Sequence, residues 1–233
     1  MSGSGQAMSS PSPAFHDVVR SRHSVRAFLP SPIPRDVLKS VLEEAQCAPS
    51  NCNTQPWNVQ IVGGDTLKAL SATLVEELGK ENYTFDFSFD TRDYPEPYRQ
   101  RAAEQGGRYY QALGVARGDT LSRAEVVERN VRFFGAPHAA FLFLPPVGDN
   151  VRVAADLGMY AQTFLLALAA RGYAGVPQTI LGFFAEPIRQ ALGVSSDFKL
   201  LFGISFGMAD GSHAASGYRE HRIPIEQSVA WHE

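Results

Sequence analysis

The sequence predicts one α/β or α+β domain, a mixed sheet flanked by helices. Three observations carry that expectation. A chain of 233 residues can bury a core without disulfide or metal staples. Its apolar residues switch repeatedly between helical spacing and strand-like alternation. No internal repeat or break in composition marks a second domain.

The elements follow in order. "MSGSGQAMSSPSP" has neither a basic start nor an apolar core, so residues 1–13 are expected to be a disordered tail rather than a signal peptide. Ser12 and Pro13 give an N-cap and first-turn signal for a short helix, with Phe15, Val18 and Val19 on one face. A second helix is predicted from Pro34, with Val37, Leu38, Val41, Leu42 and Ala45 at helical spacing and Pro49 as its stop. Trp57, Val59 and Ile61 alternate with polar residues, as a half-buried strand does. Asp65 is read as the cap of a third helix with Leu67, Leu70, Leu74 and Leu78 inward, closed by Gly79.

Residues 80–132 mix aromatics with charges and match no single period. They are expected to be an excursion, part helical, packed over something. "HAAFLFLP" (138–145) reads as a strand buried on both faces. A long helix, capped by Asp149 or Asn150, is predicted to about Arg171. It is apolar on nearly every side, which places it at the centre or at a subunit interface. Strands follow near 173–177 and 199–206, with a helix from Pro187 to Leu192 between them, closed by Gly193. The tail 207–233 has little periodicity but holds Trp231, and is expected to pack on something.

Composition narrows the function. A net charge of −3 leaves no nucleic-acid footprint. The most apolar run, 157–170, is shorter than the ~20 residues that span a bilayer and contains Gln162. Six histidines and two cysteines show no metal-ligand spacing, so no metal is expected, and a reducing cytoplasmic compartment fits. There is no GxGxxG after a strand, no GxxxxGK[ST] and no GxSxG. Dinucleotide folds, P-loop enzymes and α/β-hydrolases are therefore not expected.

Four stretches remain as candidate sites. In "RSRHSVRAF" (20–28), Arg22, Ser24 and Arg26 lie two apart, so an extended backbone turns all three to one side. Two guanidiniums flanking a hydroxyl suit a phosphate monoester; the same residues suit a solvated basic turn, and both remain open on spacing alone. "CAPSNCNTQPW" (47–57) carries Asn51, Asn53 and Gln55, whose amides supply the donors and acceptors a polar heterocycle requires. A plain turn is its alternative. "GYAGVPQTILGF" (172–183) ends a strand at Pro177, where Gln178 and Thr179 have backbone N–H groups to offer; an ordinary connection is the alternative. "YREHRIP" (218–224) adds Arg219 and Arg222.

In this order the pieces resemble the FMN-dependent nitroreductase family. Its first motif is matched by Arg22-His23-Ser24-Val25-Arg26-Ala27-Phe28 and its second by Ala48-Pro49-Ser50 with Asn53-Thr54-Gln55-Pro56-Trp57. The late R-x-P is matched by Arg222-Ile223-Pro224. The resemblance covers residues 14–233, weakest over 80–132. It implies a three-layer α+β fold with a central, mostly antiparallel sheet, in an intertwined homodimer whose 207–233 extension packs on the partner. It implies FMN at the interface, with Arg22, Ser24 and Arg222 on the phosphate, His23 beside it and Arg26 at the ring edge. Pro49, Ser50, Asn51 and Asn53 are implied to come from the other subunit, and Pro177, Gln178 and Thr179 to pass the flavin N5.

The implied activity is hydride transfer from NADPH or NADH, through flavin N5, to a small nitroaromatic or quinone-like acceptor, in a two-electron ping-pong cycle with no catalytic side chain. The 80–132 segment would then be a lid, with Tyr94, Tyr98, Tyr109, Tyr110, Phe133 and Phe134 as candidates to stack on a planar acceptor, or simply to anchor the segment. Reductive dehalogenation, flavin fragmentation and a non-catalytic FMN-binding redox role are the alternatives. Two departures from the family pattern stand out. Glu220 occupies a position often basic, and Gln178-Thr179-Ile180 replaces an acidic residue and glycine.

Overall fold

A computed structural model describes residues 13–233, so Ser12 and nearly all of the expected tail lie outside the described residues. Within them the first helix, α1 (Phe15–Ser21), buries only Val18, while Phe15 and Val19 stay exposed. Helix α2 (Arg35–Ala45) buries Leu38, Val41 and Ala45 as their spacing predicts. Strand β1 (Asn58–Gly63) leads into α3 (Gly64–Gly79), where Gly63 is the cap and Asp65 sits in the first turn instead.

The excursion holds two helices, α4 (Tyr98–Ala112) and α5 (Thr120–Val131). Its first part is no loose loop. Thr84 bridges Phe184, its N–H donates to the Phe183 carbonyl at 2.8 Å, and Asp86 is buried against Arg189. The chain continues through β2 (His138–Leu144), α6 (Val151–Ala169), β3 (Ala174–Gln178), a 3-10 turn (Thr179–Phe183), α7 (Ala185–Leu192) and β4 (Lys199–Gly207).

The sheet order is β1-β2-β4-β3 and all three pairings are antiparallel, so the mixed sheet expected from patterning alone gives way to the antiparallel one the family resemblance implies. The alternation on β2 explains the three layers. Ala139, Phe141 and Phe143 face a core shared with α3, α5 and α7, whereas Ala140, Leu142 and Leu144 face a second core under α2 and α6. A strand clothed on both sides carries no polar face, which is why "HAAFLFL" reads as a continuous apolar run.

Helix α6 is long and apolar enough to cross a membrane, yet half of its most apolar 18-residue window is buried inside the domain. Its start is set by Asp149, whose Oδ1 accepts from the Val151 N–H at 3.0 Å, while Asn150 adopts a left-handed φ of 66°. Gly175 lets β3 approach this helix, since a Cβ there would stand 2.7 Å from Leu165 Cδ2.

His138, at the head of β2, stacks on Phe206 and accepts the Ile33 N–H on Nε2 at 2.9 Å. Burial lowers its pKa below the usual imidazole range. The fold therefore favours neutral His138, and this contribution is complete above the unfolded value of about 6.5. Below it the unfolded chain takes up a proton that the folded chain resists, so stability falls with pH. Thermal melting from pH 7.5 to about 5 should show that loss, with a shallower slope in His138→Gln. Equal slopes would mean that His138 is not responsible.

Candidate active site

The first motif forms an extended rib beside the edge strand. Ser24 makes a parallel bridge to Gly175 of β3, and Phe28 an antiparallel bridge to Ala209. The Asp210 N–H donates to the Ala27 carbonyl at 3.0 Å, and Arg129 from α5 donates to the Arg26 carbonyl at 3.1 Å. Val25 and Ala27 turn into the protein and are buried, which leaves Ser24 and Arg26 on the other side, as the two-residue spacing predicts.

There they open on a cavity of about 960 Å³. The rib supplies Arg22, His23, Ser24 and Arg26 to its wall, α1 supplies Arg20, α4 supplies Gln105 and α6 supplies Gln162. The C-terminal segment adds Tyr218, Arg219, Glu220 and Arg222. Five arginines thus share one space with a single carboxylate. That carboxylate is already engaged, since Glu220 accepts from Arg108 Nε and Nη2, both at 3.0 Å. Among the described residues the arginines paired with acids are Arg92, Arg99, Arg108, Arg132, Arg171 and Arg189. None of these six lines the cavity.

The cavity's electrostatics show the strain. Burial, then the nearby charge of Arg222, lowers the pKa of Arg22, and burial does the same to Arg26. Arg26 lies over the Tyr109 ring at 4.6 Å, a cation on an aromatic face in place of an ion pair. Arg219 and Arg222 donate only to backbone carbonyls. His23 hydrogen-bonds the Ser21 carbonyl through Nδ1 at 2.9 Å, and its Nε2 is buried without a partner among the described residues. Burial, with Arg219 and Arg22 close by, lowers its pKa. Crowded, partly desolvated cations without a counter-charge are what a bound dianion would relieve.

The second stretch stands apart from this cavity. Pro49, Ser50, Asn51 and Asn53 do not line it. Their loop is anchored from below by α6, where buried Asp156 accepts the Asn51 N–H at 3.0 Å. Ser50 Oγ accepts the Gln55 N–H at 2.9 Å, and the Gln55 amide donates back to the Asn53 carbonyl. Cys52, Asn53 and Gln55 all take positive φ, near 50°. Asn adopts this region readily, while Cys52 and Gln55 are held in it by the bonds to Asp156 and Ser50. Cys47 and Cys52 are free and exposed.

The third stretch divides. The Gln178 side chain does not face a ligand: it is buried, donates through Nε2 to the Asn130 carbonyl at 2.7 Å and to Asn130 Oδ1, and accepts from Ser205. Pro177 and Thr179 on either side are exposed. Thr179 lines a smaller cavity of about 300 Å³ together with Phe87, Phe89, Tyr94, Phe183 and Phe202.

The aromatic candidates also separate. Tyr94 and Tyr98 are exposed. Tyr110 carries Arg123 at 3.8 Å, and Tyr109 supports Arg26. Phe133 and Phe134 are core residues, 1% and 5% exposed in tight left-handed turns, so they anchor the segment and are not available to stack on an acceptor. Gln105, Gln162, Tyr218 and Asp156 escaped the sequence reading as site residues. For Gln162 and Asp156 a signal existed, since each is a polar residue in an otherwise apolar helix.

A family model described as "Nitroreductase family" matches residues 19–208. The chain is 41% identical over 216 residues, 93% of its length and 92% of the relative's, to nitroreductase NfnB of Mycolicibacterium smegmatis. It is 32% identical to the 4-nitrobenzoate reductase of a Nocardioides species, covering 94% of this chain and 90% of that one. Among solved structures, the FMN-dependent nitroreductase NfnB of Mycobacterium smegmatis in complex with NADPH superposes with a TM-score of 0.90 at 39% identity, covering 94% and 97% of the two chains.

Proposed function

The chain belongs to the nitroreductase family, and we propose that it is an FMN-dependent oxidoreductase that uses NADPH or NADH to reduce nitroaromatic compounds. The observation that carries the cofactor assignment is the cavity of about 960 Å³ with five arginines and no free carboxylate. Its donor set fits a phosphate monoester: guanidiniums of Arg22 and Arg222, with the Ser24 hydroxyl between them in the chain. The unpartnered His23 Nε2 suits a hydroxyl of the ribityl chain, not the phosphate, and Arg26 holds a further cation in the same space.

When bound, FMN supplies the two-electron relay between the nicotinamide nucleotide and the acceptor, which occupy one site in turn. The chain's part is then to bind, orient and polarise. Exposed Pro177 and Thr179 flank Gln178, whose fully bonded amide fixes that turn in place. Tyr94 beside Thr179 is the aromatic best placed to meet a flat acceptor, with Tyr98 further along the same segment. Nitro reduction is favoured over dehalogenation, flavin fragmentation or a non-catalytic role, because the relatives described above are named for nitro-group reduction.

A homodimer belongs to this reading. The 49–55 loop is exposed and absent from its own chain's cavity, so a second copy is the natural source of that wall. Ala155, Gly158, Met159 and Gln162 form an exposed stripe at helical spacing on α6. Ile225, Val229 and Trp231 of the C-terminal extension are exposed as well, with Trp231 at 80%. Light scattering should give twice 25.4 kDa; a monomer at micromolar concentration would sink the two-subunit site. Free, exposed cysteines suit a cytoplasmic setting.

The direct test is to purify the chain with added FMN and follow NADPH and NADH oxidation with 4-nitrobenzoate, nitrobenzene and a quinone. A yellow protein that turns over a nitroaromatic is the expected result. A colourless protein that takes up no FMN would end this proposal.

A further inference from the structure

Glu220 is a carboxylate in a cavity otherwise suited to an anion. Left free, it would pair with the neighbouring guanidiniums and compete with a bound phosphate. Its charge is near enough to act on Arg26. Yet its oxygens point to α4, where Arg108 meets them with two parallel bonds of 3.0 Å across 112 residues of sequence. The Tyr218 hydroxyl donates to the same carboxylate at 2.5 Å. Tyr218 in turn packs on Tyr109, the ring beneath Arg26, with centroids 5.7 Å apart. The bridge is partly shielded, with side-chain exposures of 42% and 23%.

We infer that Arg108 is a positioning residue for phosphate recognition: by engaging Glu220 it keeps the only carboxylate of the cavity away from Arg22, Arg219 and Arg222. The inference rests on the proposal that this cavity holds the phosphate of FMN. It also gives α4 a role in cofactor affinity, although Arg108 itself is outside the cavity wall. The effect is one of charge, so it should discriminate FMN from riboflavin, which has the same ring and chain but no phosphate.

Flavin fluorescence titrations of the full chain, stripped of bound flavin, test it. Arg108→Gln should raise the Kd for FMN about tenfold and leave riboflavin within about twofold, because only the phosphate meets the freed carboxylate. Adding Glu220→Gln should restore FMN binding to within about threefold of the unaltered chain, and Arg108→Lys, which keeps the charge but not the two-pronged geometry, should fall between Arg108→Gln and the unaltered chain. Three results would overturn the inference: an unchanged FMN Kd in Arg108→Gln, equal weakening of both flavins, or a double variant as weak as the single one. The last two would make the bridge merely structural. Failure of the unaltered chain to bind FMN would instead sink the proposed function, and this inference with it.

Discussion

Asp86→Ala is expected to cost about 3–5 kcal/mol of stability, the range for removing one partner of a buried ion pair. The Asp86 side chain is 5% exposed and that of Arg189 10%. Asp86 accepts from Arg189, from the Leu200 N–H at 2.7 Å, and lies 3.6 Å from Lys199. Removing it leaves a buried guanidinium whose remaining acidic partner is Glu186, which is half exposed. It also leaves the Leu200 N–H without an acceptor. Folded domains hold only about 5–15 kcal/mol in reserve, so the loss is a large part of the whole. Urea unfolding measures it. Asp86→Asn, which keeps the acceptor but not the charge, should lose less, and an apolar pair such as Asp86→Leu with Arg189→Met should recover much of the loss. A loss below about 1 kcal/mol, the size of an exposed pair, would show that the contact does not fix this segment.

The same contact explains where the sequence was legible and where it was not. Elements that bury one face leave a local period, and a strand buried on both leaves a continuous apolar run, which is why α2, α3, β1 and β2 stand close to their expected bounds. The alternation of Arg22, Ser24 and Arg26 was equally local, and the structure turns these residues to one cavity. The 80–132 segment is held differently. Thr84 pairs with Phe184 and Asp86 with Arg189, each about a hundred residues away, and no window of sequence contains both partners. Gln178 shows a related limit. The sequence offers its backbone N–H to a ligand but does not show what holds its side chain, because the partners that do, Asn130 and Ser205, come from α5 and β4. Glu220 shows the same limit from the other side. On its own it breaks the expected basic pattern, and only the fold supplies the Arg108 that neutralises it.

Arg22→Ala is expected to weaken FMN binding by about ten- to a hundredfold, the effect of one charge-assisted hydrogen bond worth roughly 1.5–3 kcal/mol. The opposite result for stability is expected at the same time. Burial, then the charge of Arg222, lowers the pKa of Arg22, and it makes no ion pair among the described residues, so its charge is a burden until an anion arrives. Without ligand the Ala variant should therefore melt no lower than the unaltered chain. At the same FMN concentration the unaltered chain should gain more, because ligand stabilisation rises with the logarithm of concentration over Kd. Arg222→Ala should behave alike, and Ser24→Ala should lose less, having no charge to remove. Paired melting curves with and without FMN, alongside fluorescence titrations, separate the two effects. A variant that melts well below the parent without flavin would identify Arg22 as a structural residue, and unchanged FMN affinity would move the phosphate to another part of the cavity.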